Sequence, residues 1–101
     1  MSTSINVIWS DEAKADLKYI HDRILRKTKS RINSKNVKND IINSSKNIEF
    51  VEQYQVDEFL GKPFRRIIVR HFKLVYFVKD KSSIIILEVF DSYRNPIELR
   101  K

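Results

Sequence analysis

The sequence predicts an α+β fold in which an N-terminal strand and a two-helix hairpin pack on one face of a mostly antiparallel sheet, in the order β-α-α-β-β-β. Helical periodicity is confined to the first half of the chain, whereas β-branched and aromatic runs fill the second half. The only glycine, in Gly61-Lys62-Pro63, marks the break between the two halves. Because 101 residues have room for one hydrophobic core, residues 1–101 are predicted to form a single domain.

Local signals predict the first strand and the first helix. Residues 5–9 combine β-branched and aromatic side chains, which is typical of a short strand. Ser10 is a favourable N-cap, and Asp11 and Glu12 complement the helix dipole in the first turn. Apolar residues then recur at helical spacing and predict a helix that runs to about Lys27. This apolar stripe consists of Ala13, Leu17, Ile20 and Ile24.

A second helix is predicted over residues 30–48, after a short link near residues 28–31. Its apolar face would consist of Val37, Ile41 and Ile48, with Ser44 or Ser45 filling the gap.

The second half of the chain predicts three strands, over residues 64–70, 72–79 and 83–90, because β-branched and aromatic residues dominate there. Polar residues at 80–83 predict the turn between the last two strands. Residues 84–87 are apolar at four consecutive positions, which predicts a strand that is buried on both faces and therefore central.

The excess of positive charge predicts an anionic partner. Twenty Lys and Arg residues oppose 13 Asp and Glu residues, which gives a net charge of +7 and a pI near 9.8. Nucleic acid, an acidic protein segment and a membrane surface would each fit this charge. The absence of cysteine excludes disulfides and a cysteine nucleophile.

The sequence also indicates where the protein resides and what it lacks. Residues 1–10 have neither the basic start nor the apolar core of a signal peptide, and the longest apolar run is far short of the ~20 residues that cross a bilayer. We therefore expect a cytoplasmic protein with no membrane partner. No glycine-rich phosphate loop and no metal-spaced His/Asp cluster occurs, so we expect no cofactor, no metal and no small-molecule substrate.

Several motifs, in this order and at this spacing, carry a family resemblance. They are Val7-Ile8-Trp9-Ser10 with Ala13 and Asp16-Leu17, Phe64-Arg65-Arg66-Ile67, Lys73-Leu74-Val75-Tyr76, Ile86-Leu87-Glu88-Val89-Phe90-Asp91 and Arg94-Asn95-Pro96. From about Val7 to Leu99 the chain resembles the RelE/ParE toxin superfamily, and the ParE-like branch most closely.

The resemblance implies a toxin of a type II toxin–antitoxin system, neutralised by a cognate antitoxin that lays an acidic segment along it. RelE-like members cut messenger RNA on the ribosome, whereas ParE-like members poison DNA gyrase and are not nucleases. Neither group needs a metal or a cofactor. A ParE-like gyrase poison is the favoured hypothesis. The alternatives are a RelE-like, metal-independent endoribonuclease and a non-toxic basic module that binds nucleic acid.

Under the nuclease hypothesis, the resemblance implies a set of catalytic residues. RNA cleavage without metal needs a base, an acid and cations around the charged phosphorane. Arg66 matches a strand position that such nucleases use, but Lys73 stands where they have an arginine and Ser92 where they have a basic residue. Arg94, His71 or Tyr93 would have to compensate, and these departures favour the gyrase hypothesis.

A basic patch on the predicted sheet is the candidate surface for the antitoxin or the target. Arg65, Arg66 and Arg70 contribute its charge. Strand alternation would place Arg66 and Arg70 on one face and Arg65 on the other. The predicted docking surface is the groove between the helical hairpin and the sheet.

Overall fold

The computed structural model describes residues 4–92 and confirms the predicted α+β fold and element order. Each helix and strand boundary lies within two residues of the predicted one. The elements are β1 (Asn6–Trp9), α1 (Asp11–Thr28), α2 (Arg31–Lys46), β2 (Arg65–Val69), β3 (Phe72–Asp80) and β4 (Ser83–Asp91).

Serine caps begin both helices. The Ser10 hydroxyl accepts a hydrogen bond from Ala13 N–H at 3.0 Å and donates one to the Leu87 carbonyl at 2.8 Å, so it caps α1 and ties it to β4. Ser30 caps α2 by accepting from Asn33 N–H at 3.1 Å. Lys29, in the left-handed conformation, ends α1 and leaves a two-residue link to α2.

The strand order β1-β4-β3-β2 makes β4 an internal strand, as predicted. β1 pairs with residues 83–86 of β4 in parallel, and the other two pairings are antiparallel. The expected burial on both faces is wrong, because Ile84 and Ile86 are fully buried whereas Ile85 and Leu87 are half-buried. The reason is that both helices cover the same face of the sheet; we call the opposite one the far face.

The core lies between the helices and the sheet. The predicted stripe of α1 faces it, with Ala13 fully buried, and Ile41 of α2 is fully buried there too. Of the two serines proposed to fill the gap in α2, Ser45 is the fully buried one, and its hydroxyl donates to the Ile42 carbonyl at 2.8 Å. Tyr76 is also fully buried, and its hydroxyl donates to the Val51 carbonyl at 2.9 Å, which fastens the segment after α2 to the sheet.

Within residues 4–92, neither helix is long and apolar enough to cross a membrane.

Replacing Ile86 with alanine should lower the free energy of unfolding by about 2–5 kcal/mol, because a fully buried side chain leaves a cavity that the core cannot close. Urea unfolding measures this loss. Ile68→Ala is the control, since Ile68 is 54% exposed on β2, the edge strand of the same sheet, and it should change the free energy by under about 1 kcal/mol. Equal losses in the two variants would mean that β4 is not the central strand.

Candidate binding and catalytic sites

The far face carries a buried lysine. Lys73 is only 3% exposed, and it points away from the helices because its neighbours Phe72 and Leu74 face the core. Its ammonium lies 3.0 Å from Asp57 Oδ1 and 3.1 Å from Glu58 Oε1. Two aromatic rings complete this environment, since the ammonium lies 4.7 Å from the centre of the Phe59 ring and 5.7 Å from that of Phe90.

A turn of the backbone positions Asp57, the carboxylate that pairs with Lys73. The Asp57 carboxylate accepts hydrogen bonds from Leu60 N–H at 2.8 Å and from Phe59 N–H at 3.1 Å, and the Asp57 N–H donates to the Phe64 carbonyl at 2.9 Å. Burial by itself would raise the pKa of Asp57. The hydrogen bonds from Lys73 and from the backbone outweigh it, so the pKa of Asp57 lies below its ordinary value of 3.8.

Lys73 is therefore held within the fold by its contacts. Its ammonium is enclosed by two carboxylates and two rings and is not presented to a phosphate at the surface. A lone charge on a strand that is otherwise apolar needs a buried partner, and Asp57 supplies it.

Arg66 also lies on the far face, and its guanidinium is engaged with the segment before β2. It lies 2.7 Å from Glu58 Oε2 and donates to the Val56 carbonyl and to Gln55 Oε1, both at 3.0 Å. Arg65 points to the other side of β2 and donates to the Tyr54 carbonyl at 2.7 Å. Both guanidinium groups thus fasten the segment before β2 to the sheet.

The expectation that Arg66 and Arg70 share a face is wrong. β2 ends at Val69, and Arg70 adopts a φ of 54° in the following turn, so strand alternation no longer applies to it. Its guanidinium reaches Asp40 of α2, with Nη2 at 2.7 Å and Nε at 2.9 Å from the carboxylate. Arg70 therefore lies on the helix side of the sheet and Arg66 on the far face.

His71 completes the turn between β2 and β3 and is anchored to the end of β4. Its Nδ1 lies 3.1 Å from Asp91 Oδ1. Its carbonyl accepts hydrogen bonds from the N–H and the hydroxyl of Ser92, each at 2.7 Å. Ser92, the position where nucleases have a basic residue, thus fixes the backbone of the turn.

A groove of about 340 Å³ lies between α1 and β4, where we predicted a docking groove between the hairpin and the sheet. We call it the α1–β4 groove. Its apolar lining comes from Tyr19, Ile20, Ile24, Phe72, Val89 and Phe90, and its ionisable lining from Glu12, Asp16, Arg23, Lys27, His71, Glu88 and Asp91. Along α1, the acidic residues Glu12 and Asp16 precede the basic residues Arg23 and Lys27, so the helix wall of the groove changes sign along its length.

The predicted basic patch does not contribute to this groove. Arg65, Arg66 and Arg70 are absent from its lining, and each is bonded within the fold. Arg23 and Lys27 of α1 line it instead.

Three of the predicted catalytic residues lie within the described part of the chain. Arg66 and Lys73 lie on the far face, and His71 lines the α1–β4 groove. Tyr93 and Arg94 lie outside the described residues.

Sequence reasoning missed Asp57 and Glu58, the two carboxylates that engage Lys73. A signal for Asp57 was present, because an aspartate just before Phe59-Leu60-Gly61 is well placed to cap a turn. The lone lysine in Phe72-Lys73-Leu74-Val75-Tyr76 was the matching signal that a buried carboxylate was required.

Comparison with known proteins agrees with this architecture. A chain of the solved structure described as the chromosomal ParDE TA system from P. aeruginosa has the same fold, with a TM-score of 0.73 and 21% identity over 87% of this chain and 96% of that chain. No curated protein sequence matches the chain.

Fold and sequence together define the class as the toxin half of a type II toxin–antitoxin pair. Residues 7–96 match the model of the family described as ParE toxin of type II toxin-antitoxin system, parDE. The chain belongs to the ParE toxin family, which confirms the resemblance to the ParE-like branch.

Replacing Asp57 with asparagine should lower the free energy of unfolding at pH 7 by about 3 kcal/mol, the lower end for breaking a buried ion pair, because Glu58 still faces Lys73. Asp40→Asn is the control; its pair with Arg70 is half-exposed and should contribute under about 1 kcal/mol. Denaturant unfolding of the three proteins measures both losses.

The pH dependence of the same measurement tests the Asp57 pKa. A carboxyl whose pKa is lower in the folded state stabilises the fold above the ordinary value of 3.8, and this stabilisation disappears as the pH falls through the folded pKa. The difference between the natural protein and Asp57→Asn should therefore shrink below pH 3.8. A constant difference at all pH values would contradict the lowered pKa.

Proposed function

We propose that this ParE-family toxin stops bacterial growth in the cytoplasm by poisoning DNA gyrase, and that a cognate acidic antitoxin neutralises it. The observation that carries the choice of gyrase over RNA is that Lys73 and Arg66 are engaged by Asp57 and Glu58 within the far face, whereas His71 lies in the turn between β2 and β3 beside Asp91. Ribonuclease chemistry needs several groups acting together on one phosphate, and the loss of one charge-stabilising donor lowers the rate about a hundredfold or more. A gyrase poison needs only to bind, so the internal engagement of these residues does not work against it.

The α1–β4 groove supports the antitoxin half of the proposal. Part of its lining is apolar, with Tyr19, Ile24 and Phe72 among the residues, so it can hold the apolar side chains of a bound segment. Arg23 and Lys27 place two positive charges along α1, where acidic side chains of the segment can pair with them. We assign the electrostatic contacts to these two residues instead of Arg65, Arg66 and Arg70, whose guanidinium groups are used within the fold.

Brief induction of the toxin should trigger a DNA-damage response while bulk messenger RNA stays intact and translation continues at first. Reporter activity, RNA integrity and pulse labelling of new protein, followed in parallel, measure the three effects. His71→Ala should leave the DNA-damage response in place, because the histidine has no catalytic duty in this proposal. Ribosome-associated transcript cuts that precede DNA damage, and that His71→Ala abolishes, would establish the endoribonuclease instead.

Antitoxin affinity should fall as ionic strength rises, because part of the attraction is between charges that salt screens. Arg23→Gln combined with Lys27→Gln should weaken binding by roughly tenfold, about 1.4 kcal/mol, and should reduce the salt dependence. Lys79→Gln with Lys81→Gln is the control of equal charge, at exposed positions outside the groove. Titration calorimetry at several salt concentrations measures these effects. An affinity that does not change with salt would mean that the groove binds the antitoxin through apolar contacts alone.

A further inference from the structure

The outer surface of the helical hairpin carries a row of basic residues that neither the fold nor the proposed function uses. A shallow cleft of about 560 Å³ lies between α1 and α2. We call it the hairpin seam; its lining residues are His21, Leu25, Arg31, Lys35, Lys38 and Asn39.

Helical spacing gathers the basic residues of α2 onto one flank. Arg31, Lys35 and Lys38 follow at intervals of four and three residues, so they stack along the side of α2 that faces α1. Lys46 falls on the same flank, because 46 is 11 residues beyond 35 and close to three full turns. The row from Arg31 to Lys46 extends over roughly 22 Å at 1.5 Å per residue.

These cations lack the partners that the cations of the sheet have. Within residues 4–92, Arg31, Lys35, Lys38 and Lys46 have no carboxylate at salt-bridge distance. The only acidic residue of α2, Asp40, is on another side of the helix and forms an ion pair with Arg70. Like charges one turn apart repel each other and disfavour the helix, so a row of this kind gains by binding an anion.

The lining of the seam distinguishes among anionic partners. Leu25 is its single apolar side chain, whereas a protein interface normally has an apolar centre. Its one aromatic ring is the His21 imidazole, whose Nδ1 is held 3.0 Å from Asp22 Oδ1, so it lacks the successive rings on which the bases of a single strand stack. A straight row of point charges instead fits a stiff, regularly charged polymer. The major groove of B-DNA, about 12 Å wide, admits a helix, whereas the deep, narrow major groove of duplex RNA does not.

We propose that the hairpin seam binds the phosphate backbone of double-stranded DNA without regard to base sequence. Arg31, Lys35 and Lys38 neutralise successive phosphates, and the Asn39 amide lies beside them as a further hydrogen-bond donor. The inference rests on the charges of the seam and does not depend on gyrase being the target.

The test compares two triple variants with the same net charge. Arg31→Gln/Lys35→Gln/Lys38→Gln removes the seam cations, and Lys62→Gln/Lys79→Gln/Lys81→Gln removes three exposed cations elsewhere. Each lowers the net charge from +7 to +4, since three positive charges are neutralised. All six positions are exposed, and thermal unfolding checks that both variants fold.

Fluorescence anisotropy with a mixed-sequence DNA duplex of about 20 base pairs, over about 50–200 mM salt, measures affinity and its salt dependence. The seam variant should bind at least tenfold more weakly, and its plot of log K against log salt should be less steep by about one unit for each lost phosphate contact. The control variant should stay within about threefold of the natural protein under the same conditions.

Three outcomes would overturn the proposal. Equal losses in the two variants would show that net charge alone attracts DNA. Tighter binding of a single strand or of duplex RNA of the same length would assign the seam to another nucleic acid. No binding of the natural protein at about 50 mM salt would leave the seam without this partner. Gyrase inhibition is measured separately with both variants. It shows whether the loss of DNA binding by the seam also affects the proposed action on gyrase.

Discussion

The requirement that a buried ammonium group have a counter-charge organises one whole side of this protein. Lys73 lies on β3, the strand next to the internal β4, where an unpaired charge would be prohibitively unfavourable. Asp57 meets this requirement, and its turn is closed by hydrogen bonds to its own backbone neighbours. The segment before β2 is thereby held across the far face, and the Phe59 ring lies over the ion pair. This segment therefore covers part of the far face, on which no helix of the described residues packs.

The same principle divides the basic residues of the chain into two groups. On the sheet and its turn, Arg65, Arg66, Arg70 and Lys73 all bond to carbonyls or carboxylates within the fold, and most of them fasten a neighbouring segment to β2 or β3. On the flank of α2 that lines the hairpin seam, the cations have no such partners among the described residues. Among the described residues, the basic residues that the sequence placed on the sheet are therefore used within the fold, whereas a row of cations on α2 has no carboxylate partner.

The start of α1 completes the sheet where β1 stops. β1 pairs only with residues 83–86 of β4, and beyond that point two side chains from the helix take its place. Ser10 donates to the Leu87 carbonyl, and Asp16 accepts from the Val89 N–H at 3.0 Å. The backbone groups at this edge are thus satisfied by a helix and not by another strand. The helix also stands away from the end of β4, and this separation creates the α1–β4 groove to which we assign the antitoxin.

The sequence by itself determined the elements, their order and the family. Caps such as Ser10, the apolar stripe of α1 and the β-branched runs are local signals, and local signals suffice to locate helices and strands. The sequence also predicted that β4 is central, because an unbroken apolar run is typical of an internal strand. Only the tertiary structure decided what the charged residues do. Whether Lys73 is a catalytic cation or a structural one depends on Asp57, 16 residues away, and whether Arg70 shares a face with Arg66 depends on a backbone turn at one residue. Charge pairing is a matter of distance in space, and spacing along the chain does not fix that distance once the chain folds back on itself.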